Sequence, residues 1–480
     1  MRTDFDIVGS FNDQRVAGFD AERTINMFEY DDPLGKKNKA LLPTAGLLNR
    51  LNVVTSGSFR AQFVFKNVLY NVIGTGVYRV TDLLVSTLIG TLGTASGYVG
   101  IDANTFQIIF VDGLNGWIWD TNASTFTMIT DVNFPSQPID VAQLGGYFFV
   151  AQGNSAEFRA SQLNQGTVYT PLSSGSITTH PGNIVALRTL HKKLFIFSDN
   201  FTEIWQLVAN AALPVAPNQS LLMEVGAISS ASIVTGFDMM FFLSRDVNGL
   251  GSVVMVTGSQ AIPVSPNSLD YFIQKFDVVS DASGILYREN GIIFYRLNFT
   301  AADYTFVYNA TMSTPESRKW HEEEMLGGGR HVAQTHAYFI NTNFFGSYLN
   351  SIMYEVNDTF TTNDGELIRR ERIPKMVAPP AYQRIRCNRF QLDLLQGQVE
   401  DDGTNVAPQV FLSLSKDGGQ TYGNEIMAPM GKLGERTYRT VWRKLGTTKR
   451  GQAFLPRIQF FSKIPFVILG CAWDYEVLPE

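Results

Sequence analysis

The sequence has few cysteines and few charged residues, and these scarcities exclude several classes of protein. Two of its 480 residues are cysteines, Cys387 and Cys471, so no disulfide framework is expected to hold the chain together. Charged residues make up 17% of the chain and hydrophobic residues 45%, which fits neither a disordered chain nor a coiled coil. The net charge of −6 argues against a protein that grips nucleic acid along its whole surface.

Long apolar runs are also missing. The densest apolar stretch covers residues 239–243, whereas a membrane helix needs about 18 to 20 apolar residues in a row. The first six residues contain no apolar segment of the type found in secretory signal peptides, so we expect no export signal. These features predict a protein that is made in a cytosol and is soluble there.

Aromatic residues and glycines are plentiful and follow a repeat. The chain has 35 Phe, 18 Tyr and 41 Gly, which favours strands and tight turns over helices. Between residue 58 and about 360, one pattern occurs seven times: a short apolar strand, a polar turn and a second strand rich in aromatics. The spacing of about 45 residues is that of propeller blades. The repeats are anchored by Phe65, Phe110, Phe149, Phe197, Phe242, Phe294 and Phe339.

This repeat predicts an all-β fold, namely a seven-bladed β-propeller with a second, smaller antiparallel β domain. Apolar runs of four or five residues suit central blade strands that are buried on both faces. The same pattern is compatible with six or eight blades and with two stacked β-sandwiches, which are the alternatives.

One helix is predicted within the repeat region. It starts after Pro266, spans residues 267–276 and has Asn267 or Ser268 as its cap. We expect its apolar face to dock on apolar surface of the subunit or of a neighbour. This face holds Leu269, Phe272, Ile273 and Phe276.

Charge and proline density mark a domain boundary. Residues 369–375 are rich in charge and are followed by Ala-Pro-Pro at 378–380. We predict an N-terminal segment over 1–57 that packs with the C-terminal β domain, propeller repeats over 58–375, and a β-sandwich-like domain over 376–480. The last of these has 13 Lys/Arg and 10 Asp/Glu, a net charge of +3, which leaves 25 and 34, a net charge of −9, for the rest of the chain.

A motif in the C-terminal domain has the pattern of an Asp-box, the hairpin turn of sialidases and related propellers. Asp417 is placed to accept hydrogen bonds from amides of its own turn, while Gly418 and Gly419 supply positions with φ > 0. Tyr422 is expected to pack beneath the turn. A single copy outside the repeats indicates a structural turn, not a catalytic site.

Histidines at 321, 331 and 336 suggest a metal site only weakly. His321 begins a His-Glu-Glu-Glu run but lacks the second histidine that a zinc-protease helix requires. His331 and His336 are five residues apart, on opposite faces of a strand. The three glycines at 327–329 predict a solvated loop here, and no role is assigned to the three histidines.

Motifs of common enzymes are missing. The sequence has no phosphate-binding glycine loop, no dinucleotide fingerprint and no nucleophile elbow. A glycosidase needs two carboxylates that face each other, and among the 44 acidic residues the sequence identifies no such pair. We therefore predict no enzymatic activity and no catalytic, cofactor-binding or metal-binding residue.

A basic cluster lies in the C-terminal domain, with Tyr438 and Trp442 interleaved. It is compatible with a phosphate-binding stripe or, as we favour, with a solvated face or a subunit interface. The cluster comprises Arg436, Arg439, Arg443, Lys444, Lys449 and Arg450.

Both ends of the chain carry extended motifs. Near the N-terminus these are Glu-Arg-Thr-Ile-Asn-Met at 22–27 and Leu-Leu-Pro-Thr-Ala-Gly-Leu at 41–47. The C-terminal motifs lie at 417–425, 430–435, 441–446 and 467–470. In order and spacing these motifs resemble the tail hub, or nozzle, proteins of short-tailed bacteriophages, which are also called packaged-DNA stabilisation proteins. Ala45 departs from the family pattern, which has Pro there.

The resemblance implies a virion tail protein, made in the cytoplasm of a bacterial host, that forms a homo-oligomeric ring of six copies below the portal adaptor protein. Such a ring continues the channel for double-stranded DNA, retains the packaged genome and anchors tail spikes or fibres and a plug or needle. Sparse surface charge suits a subunit with large buried faces, and an acidic channel would let DNA slide. The alternatives are a propeller-type glycan hydrolase of a phage and a monomeric carbohydrate-binding propeller.

Overall fold

Short antiparallel strands build nearly the whole molecule, because Phe, Tyr, Val and Ile suit a pleated, half-buried surface. The computed structural model describes residues 2–13, 21–32, 39–54, 56–210, 212–246, 249–376, 383–400, 406–450 and 452–478. Within these ranges, seven sheets are arranged radially as the blades of a propeller, and further strands form a second, sandwich-like unit. The predicted boundary segment falls partly at 377–382, which lies outside the described residues.

Blades 1 to 4 each form from four consecutive strands, ordered from the propeller axis outward as they occur in the chain. Blade 1 consists of Phe59–Phe65, Val68–Ile73, Gly76–Val80 and Ser86–Thr91. Blade 2 consists of Gly100–Ala103, Gln107–Val111, Gly116–Asp120 and Thr125–Met128. Blade 3 consists of Pro138–Leu144, Tyr147–Gln152, Glu157–Gln162 and Gln165–Ser176. Blade 4 consists of Ile184–Leu190, Lys193–Ser198, Thr202–Leu207 and Val215–Met223.

Blades 5 and 6 are less regular. In blade 5 the inner strand is split in two around a 3₁₀ turn, Ser230–Ser232, and an α-helix, Asn267–Ile273, follows the blade. The strands of blade 5 are Gly226–Ala227, Val234–Gly236, Met239–Asp246, Gly249–Thr257 and Gln260–Pro263. The strands of blade 6 are Ser283–Glu289, Ile292–Phe299, Tyr304–Asn309 and Trp320–Glu322.

Blade 7 closes the propeller with a strand from the other end of the chain. Its fourth strand from the axis is Gly46–Asn52, which pairs antiparallel with Ile352–Asn357. The inner strand of blade 7 packs against that of blade 1, so the circle is complete. The remaining strands of this sheet are Ala333–Phe339, Thr342–Ser347, Thr362–Asn363 and Glu366–Leu367.

Two sheets form the second unit and enclose a core that includes Trp473, Phe390 and Phe460. One sheet continues blade 6: beyond its outer strand come Ala21–Ile25, Arg370–Ile373, Leu455–Phe460, Gln409–Ser415 and Ile426–Pro429, with Asn12–Asp13 at the side. The other sheet contains Arg2–Phe5, Met27–Asp31, Lys39–Pro43, Ile468–Leu478, Arg384–Leu394 and Thr440–Thr447. The first 57 residues are thus divided between the second unit and blade 7.

The phenylalanine anchors are not all at the same position in their blades. Five of them lie on the second strands of blades 2 to 6, which are buried on both faces as expected. Phe65 and Phe339, however, end the inner strands of blades 1 and 7. For these two the predicted register is wrong. The second strand of blade 1, Val68–Ile73, contains no phenylalanine, and the second strand of blade 7 carries Phe344 and Phe345 instead of Phe339.

The predicted helix exists but is shorter than expected. It ends at Ile273, and its cap position is taken by Pro266 in extended conformation instead of Asn267 or Ser268. Leu269 and Ile273 are fully buried, and Phe272 is half-buried against neighbouring rings. Nowhere in the described ranges does a helix have the length and apolar character needed to cross a bilayer.

Candidate functional site

The inner strands of the blades surround a cavity of about 1150 Å³ on the propeller axis. Its lining contains residues from all seven blades, because alternate side chains of each inner strand point toward the axis. The volume is slightly above the range for small-ligand pockets, about 300–1,000 Å³. The bore is therefore a small-molecule-sized space inside one subunit.

A largely buried arginine lines part of this bore. Arg188, on the inner strand of blade 4, forms an ion pair with Asp140 of blade 3. It also donates to the hydroxyl of Tyr98, before the inner strand of blade 2, at 2.9 Å and to the carbonyl of Ser230 in blade 5 at 2.8 Å. One side chain thus ties four blades together. No local sequence pattern identified this bridge, because its members are up to 132 residues apart.

Two carboxylates at the wall of the bore, those of Asp102 and Asp140, have raised pKa values. Burial raises the pKa of Asp140, an effect that Arg188 opposes. Burial also raises the pKa of Asp102 to about 6, although its oxygens accept hydrogen bonds from the amides of Ala103 at 2.8 Å and Gln143 at 2.7 Å. These contacts position the inner strands of blades 2, 3 and 4 and leave both carboxylates engaged in structural hydrogen bonds.

His321 and His331 are buried and His336 is half-buried, so the predicted solvated loop is wrong for them. His321 lies on the outer strand of blade 6, and its Nε2 is 3.4 Å from Oε1 of Glu323. Glu323 forms a buried ion pair with Arg296, which also contacts Nδ1 of His331 at 3.2 Å. The glycines at 327–329 do form a turn, but the residues on both sides of it return to the protein interior.

Burial and the neighbouring charges determine which of His331, His336 and Glu323 carry a charge. It lowers the pKa of His331 to about 3, and the Arg296 guanidinium contributes to the same effect. Burial likewise lowers the pKa of His336 to about 4. The pKa of Glu323 lies at about 2, because Arg296 and the histidines outweigh the effect of burial. Both histidines are therefore neutral at physiological pH, and His331 lies beside the Glu323–Arg296 ion pair.

The junction between the propeller and the second unit is rich in ion pairs. Arg23 contacts both carboxylate oxygens of Glu322, at 2.8 and 2.6 Å. Arg369 pairs with Glu324 at 2.6 Å. These bidentate and charge-assisted contacts join the N-terminal segment and the 370–373 strand to the outer edge of blade 6.

A second arginine group lies deeper in the junction. Arg372 donates to Glu22 at 2.6 Å, to Thr24 at 2.9 Å and to the carbonyl of Ile7 at 2.7 Å. Arg370, two residues earlier on the same strand, has Nε and Nη1 buried without a hydrogen-bond partner among the described residues. Burial lowers the pKa of Arg370 to about 10.

A small cavity of about 290 Å³ adjoins this junction, lined by Arg23, Arg369, Asp303 and the acidic run 322–324 among others. The carboxylates of that run are already paired with arginines. In the part of the chain that the structure describes, no group of three or more His, Cys, Asp or Glu side chains is placed to hold a metal ion.

The Asp-box forms the structural turn that its residues predicted. Asp417 Oδ1 accepts a hydrogen bond from the Thr421 amide at 3.0 Å and from the Ser415 hydroxyl at 2.7 Å. Gly418 and Gly419 have φ of 76° and 95°. The side chain of Tyr422 stacks with the Arg457 guanidinium at 4.3 Å.

The cations of the basic cluster are exposed, but Trp442 is buried. Its Nε1 donates to the carbonyl of Ile426 at 2.7 Å, which anchors the strand Thr440–Thr447 to the edge strand of the other sheet. A buried indole offers no face on which a base could stack. The cluster therefore has the character of an exposed basic surface.

The fold and the two ends of the chain define a known class of phage protein. A family model described as bacteriophage P22 Gp10, beta-propeller, matches residues 4–361, and one described as bacteriophage P22 Gp10, beta-sandwich, matches residues 371–476. The chain belongs to this family, and the resemblance inferred from its terminal motifs is confirmed. The propeller and the second β domain are confirmed as well.

Individual relatives are distant. The tail hub protein gp10 of Salmonella phage P22 is 20% identical over 460 residues, which cover 90% of this chain and 92% of that protein. Among solved structures, streptogramin B lyase has 10% identity and a TM-score of 0.40, covering 65% of this chain and 97% of its own. The WD40 domain of Neurospora crassa Pan2 has 10% identity and a TM-score of 0.42, covering 63% and 89%.

Proposed function

We propose that the protein is a structural subunit of a phage tail hub and resides in the tail of the virion. The observation that carries this proposal is the family match along nearly the whole chain, together with a relative of similar length that is named a tail hub protein. The match covers 92% of that relative, and the two family models cover both the propeller and the second unit of this chain, so the proposal concerns both units together.

The subunits assemble as a closed ring, with six copies as the expected number, below the portal adaptor protein. The ring continues the DNA channel, retains packaged DNA and holds tail spikes or fibres and the plug or needle. Sparse surface charge supports this proposal, because the charged fraction of 17% suits a subunit with large buried faces.

The DNA path lies between subunits rather than through the propeller. The major groove of a DNA duplex is by itself about 12 Å wide, so the passage for the whole duplex must be wider than that. A bore of about 1150 Å³, lined in part by the Arg188 bridge, has no room for a continuous duplex. The central opening of the ring is the remaining route, and its walls are outer surfaces of the subunits.

The charge of those walls decides how DNA moves. Residues 1–375 carry a net charge of −9, and we expect this excess on the surface that faces the channel. An acidic wall repels phosphate and lets the duplex slide, whereas a basic wall binds it with a steep salt dependence and slows its exit.

Reconstitution tests the proposal. Full-length protein is mixed with purified portal–adaptor complex, and the products are imaged by cryo-electron microscopy and weighed by mass photometry. We expect a closed ring seated on the adaptor, with an acidic channel. A ring lined mainly by Lys and Arg would overturn the sliding channel only. Protein that stays monomeric beside the portal–adaptor complex and degrades a bacterial surface glycan would overturn the hub and favour a hydrolase.

A further inference from the structure

The axial cavity lies toward one face of the propeller. Its lining includes residues from five of the turns that join the second strand of a blade to the third. Among the described residues, none of the turns that join an inner strand to the second strand contributes. We call the end of the cavity at the following five residues its mouth: Gly113, Asn154, Asp199, Thr300 and Tyr348.

The cations at the cavity wall are engaged by the protein itself. All five N–H groups of Arg188 donate to Asp140, to Tyr98 and to nearby backbone carbonyls. Arg60, on the inner strand of blade 1, likewise donates all five of its N–H groups, to Thr94 and to carbonyls of the adjoining loops. The described lining contains no lysine. It therefore offers no free Lys or Arg side chain of the kind that holds phosphate, sulfate or carboxylate ligands.

The polar side chains that are free to bind a ligand are uncharged. Five exposed side chains of the lining, which belong to blades 2 to 5 and the loops before them, form no hydrogen bond to another described residue. Amides and hydroxyls both donate and accept hydrogen bonds, and the hydroxyl groups of a sugar do the same. The five are Ser96, Gln137, Asn154, Asn183 and Thr235.

Deeper in the cavity, two adjacent inner strands add an acceptor and an apolar surface. Each oxygen of the half-buried Asp102 accepts one amide hydrogen bond and keeps capacity for another. Phe63 is half-buried on the neighbouring strand of blade 1, and Ile101 and Val234 are half-buried at the same wall. An aromatic ring offers a flat apolar surface, against which the apolar face of a pyranose ring can pack.

We propose that the axial cavity binds a short neutral oligosaccharide, which enters at the mouth. The free amides and hydroxyls and Asp102 bind its hydroxyl groups, and Phe63 packs against one of its rings. A ligand with many hydroxyl groups is required, because the free polar groups are spread over blades 2 to 5. Water occupies a polar cavity of this size in the free protein and is displaced by the sugar.

The inference goes beyond the proposed function, because the site lies within one subunit and requires no ring. The probe is an array of short neutral oligosaccharides that includes repeat units of bacterial surface polysaccharides. Full-length protein is applied to the array, and the glycan with the strongest signal is titrated in solution by calorimetry. We expect one binding site per subunit. Wild-type protein that binds no glycan of the array would overturn the inference.

Two variants locate the site. Thr235→Tyr fills the cavity from the inner strand of blade 5, and Gln137→Ala/Asn183→Ala removes two free amides near the mouth. All three side chains are exposed, so folding should be retained, and circular dichroism and the melting temperature verify this. The control is Thr127→Tyr, which makes the same substitution at an exposed position on the outer strand of blade 2.

We expect the control to bind the glycan as the wild type does and Thr235→Tyr to lose binding. The double variant should bind about tenfold more weakly, because two hydrogen bonds are lost. If Thr235→Tyr bound as tightly as the wild type, the sugar would occupy another part of the molecule and the inference would be wrong.

Charged probes test the chemical class of the ligand. Spermidine and pyrophosphate, titrated separately, should not displace the glycan. If either bound to the wild type and not to Thr235→Tyr, while no neutral glycan bound, the cavity would select charge and the inference would fail.

Hydrogen exchange gives an independent location. The bound glycan should slow exchange in 96–102 and 183–189 and leave the outer strand 125–128 unchanged. Protection confined to regions outside the cavity would contradict the proposed site. Each of these failures leaves the hub proposal standing, because ring formation on the portal–adaptor complex is measured separately.

Discussion

Blades 1 to 4 and the region around blade 7 are closed by different means. The first four blades use consecutive strands, so each pairing joins residues close in sequence. Blade 7 instead needs Gly46–Asn52, which pairs with residues about 300 positions later. Local apolar runs are sufficient for the first kind of closure. The second kind depends on contacts between the two ends of the chain.

The polar contacts of the propeller bore and of the junction with the second unit also differ in how far apart in the chain their partners lie. In the bore, the largely buried Arg188 connects neighbouring blades. At the junction, Arg23, Arg369 and Arg372 pair with acids across the N-terminal segment, blade 6 and the second unit. Apolar burial is not directional, so it does not by itself fix the orientation of one unit relative to the other. We infer that these ion pairs fix the orientation of the second unit on blade 6.

The largest expected effect comes from two arginines on one strand of the junction. Arg372→Met leaves Glu22 buried with its main partner removed, so we expect the free energy of unfolding to fall by about 3–5 kcal/mol. Arg370→Met removes a buried guanidinium without a carboxylate partner in the described residues, so the free energy of unfolding should stay unchanged or rise by about 1 kcal/mol. Urea denaturation of both variants measures the difference.

These two variants control for each other, because both replace an arginine by methionine on the strand Arg370–Ile373. Equal losses would show that packing of the aliphatic stem, and not ion pairing, holds the junction together.

Closure of blade 7 is tested at Gly46. A Cβ there would lie 2.4 Å from the carbonyl oxygen of Thr362 and 2.5 Å from that of Phe360, and backbone atoms cannot turn aside as side chains do. We expect Gly46→Ala to lower the free energy of unfolding by about 1–3 kcal/mol. Hydrogen exchange should rise in 46–52 and 352–357 and not in blades 2 and 3.

Gly423→Ala is the matched control, since its Cβ would be 3.5 Å from the nearest atom, the carbonyl oxygen of Leu414. Uniformly faster exchange in all blades after Gly46→Ala would contradict the local closure that distinguishes blade 7.

The same contrast explains what the sequence could predict. The blade repeat was visible because central strands such as Gln107–Val111 are buried on both faces and contain a run of consecutive apolar residues, here 108–111. The closing strand Gly46–Asn52 precedes the first repeat in the sequence, and its partner lies at the far end of the propeller. The Arg188 bridge was equally invisible, because each of its members is a single polar residue on a different blade.

The histidines show why local patterns can mislead. Glycines at 327–329 correctly predict a turn, and charged neighbours suggest solvent. Arg296, from another strand of blade 6, neutralises Glu323 inside the protein and so permits its burial beside His331. A charged stretch is buried when its counter-ions come from elsewhere in the fold, which sequence reading does not reveal.

A moderate effect is expected from the buried His331, which makes the free energy of unfolding depend on pH. The folded pKa of His331, about 3, lies below its usual value near 6.5. Below that usual value the unfolded chain therefore binds a proton that the folded chain does not, and the free energy of unfolding falls as the pH falls. Asp102 and Glu289 act in the opposite direction, because burial raises their pKa values to about 6 and about 7.

His331→Gln isolates the histidine contribution, since a glutamine oxygen can accept the hydrogen bonds that Nδ1 accepts from Arg296 and the Ala333 amide. Between pH 6.5 and 4.5 the variant should lose roughly 2 kcal/mol less of its free energy of unfolding than the wild type. His191→Gln, at a half-exposed side chain on the propeller surface, is the control. Parallel curves for wild type and His331→Gln would contradict a neutral, buried His331.

The smallest global effect is expected at Asp417, in a turn that depends only on its own residues. Its carboxylate accepts hydrogen bonds from Ser415 and Thr421, which lower its pKa, yet the side chain lies on the surface. Asp417→Ala should accelerate amide exchange in 415–422 and leave the melting temperature of the full chain almost unchanged. Asp417→Asn is the matched variant, because its Oδ1 retains the acceptor position without the charge and should slow this exchange again. A melting temperature that falls as far as in Gly46→Ala would mean that this turn supports the junction and is not an autonomous local structure.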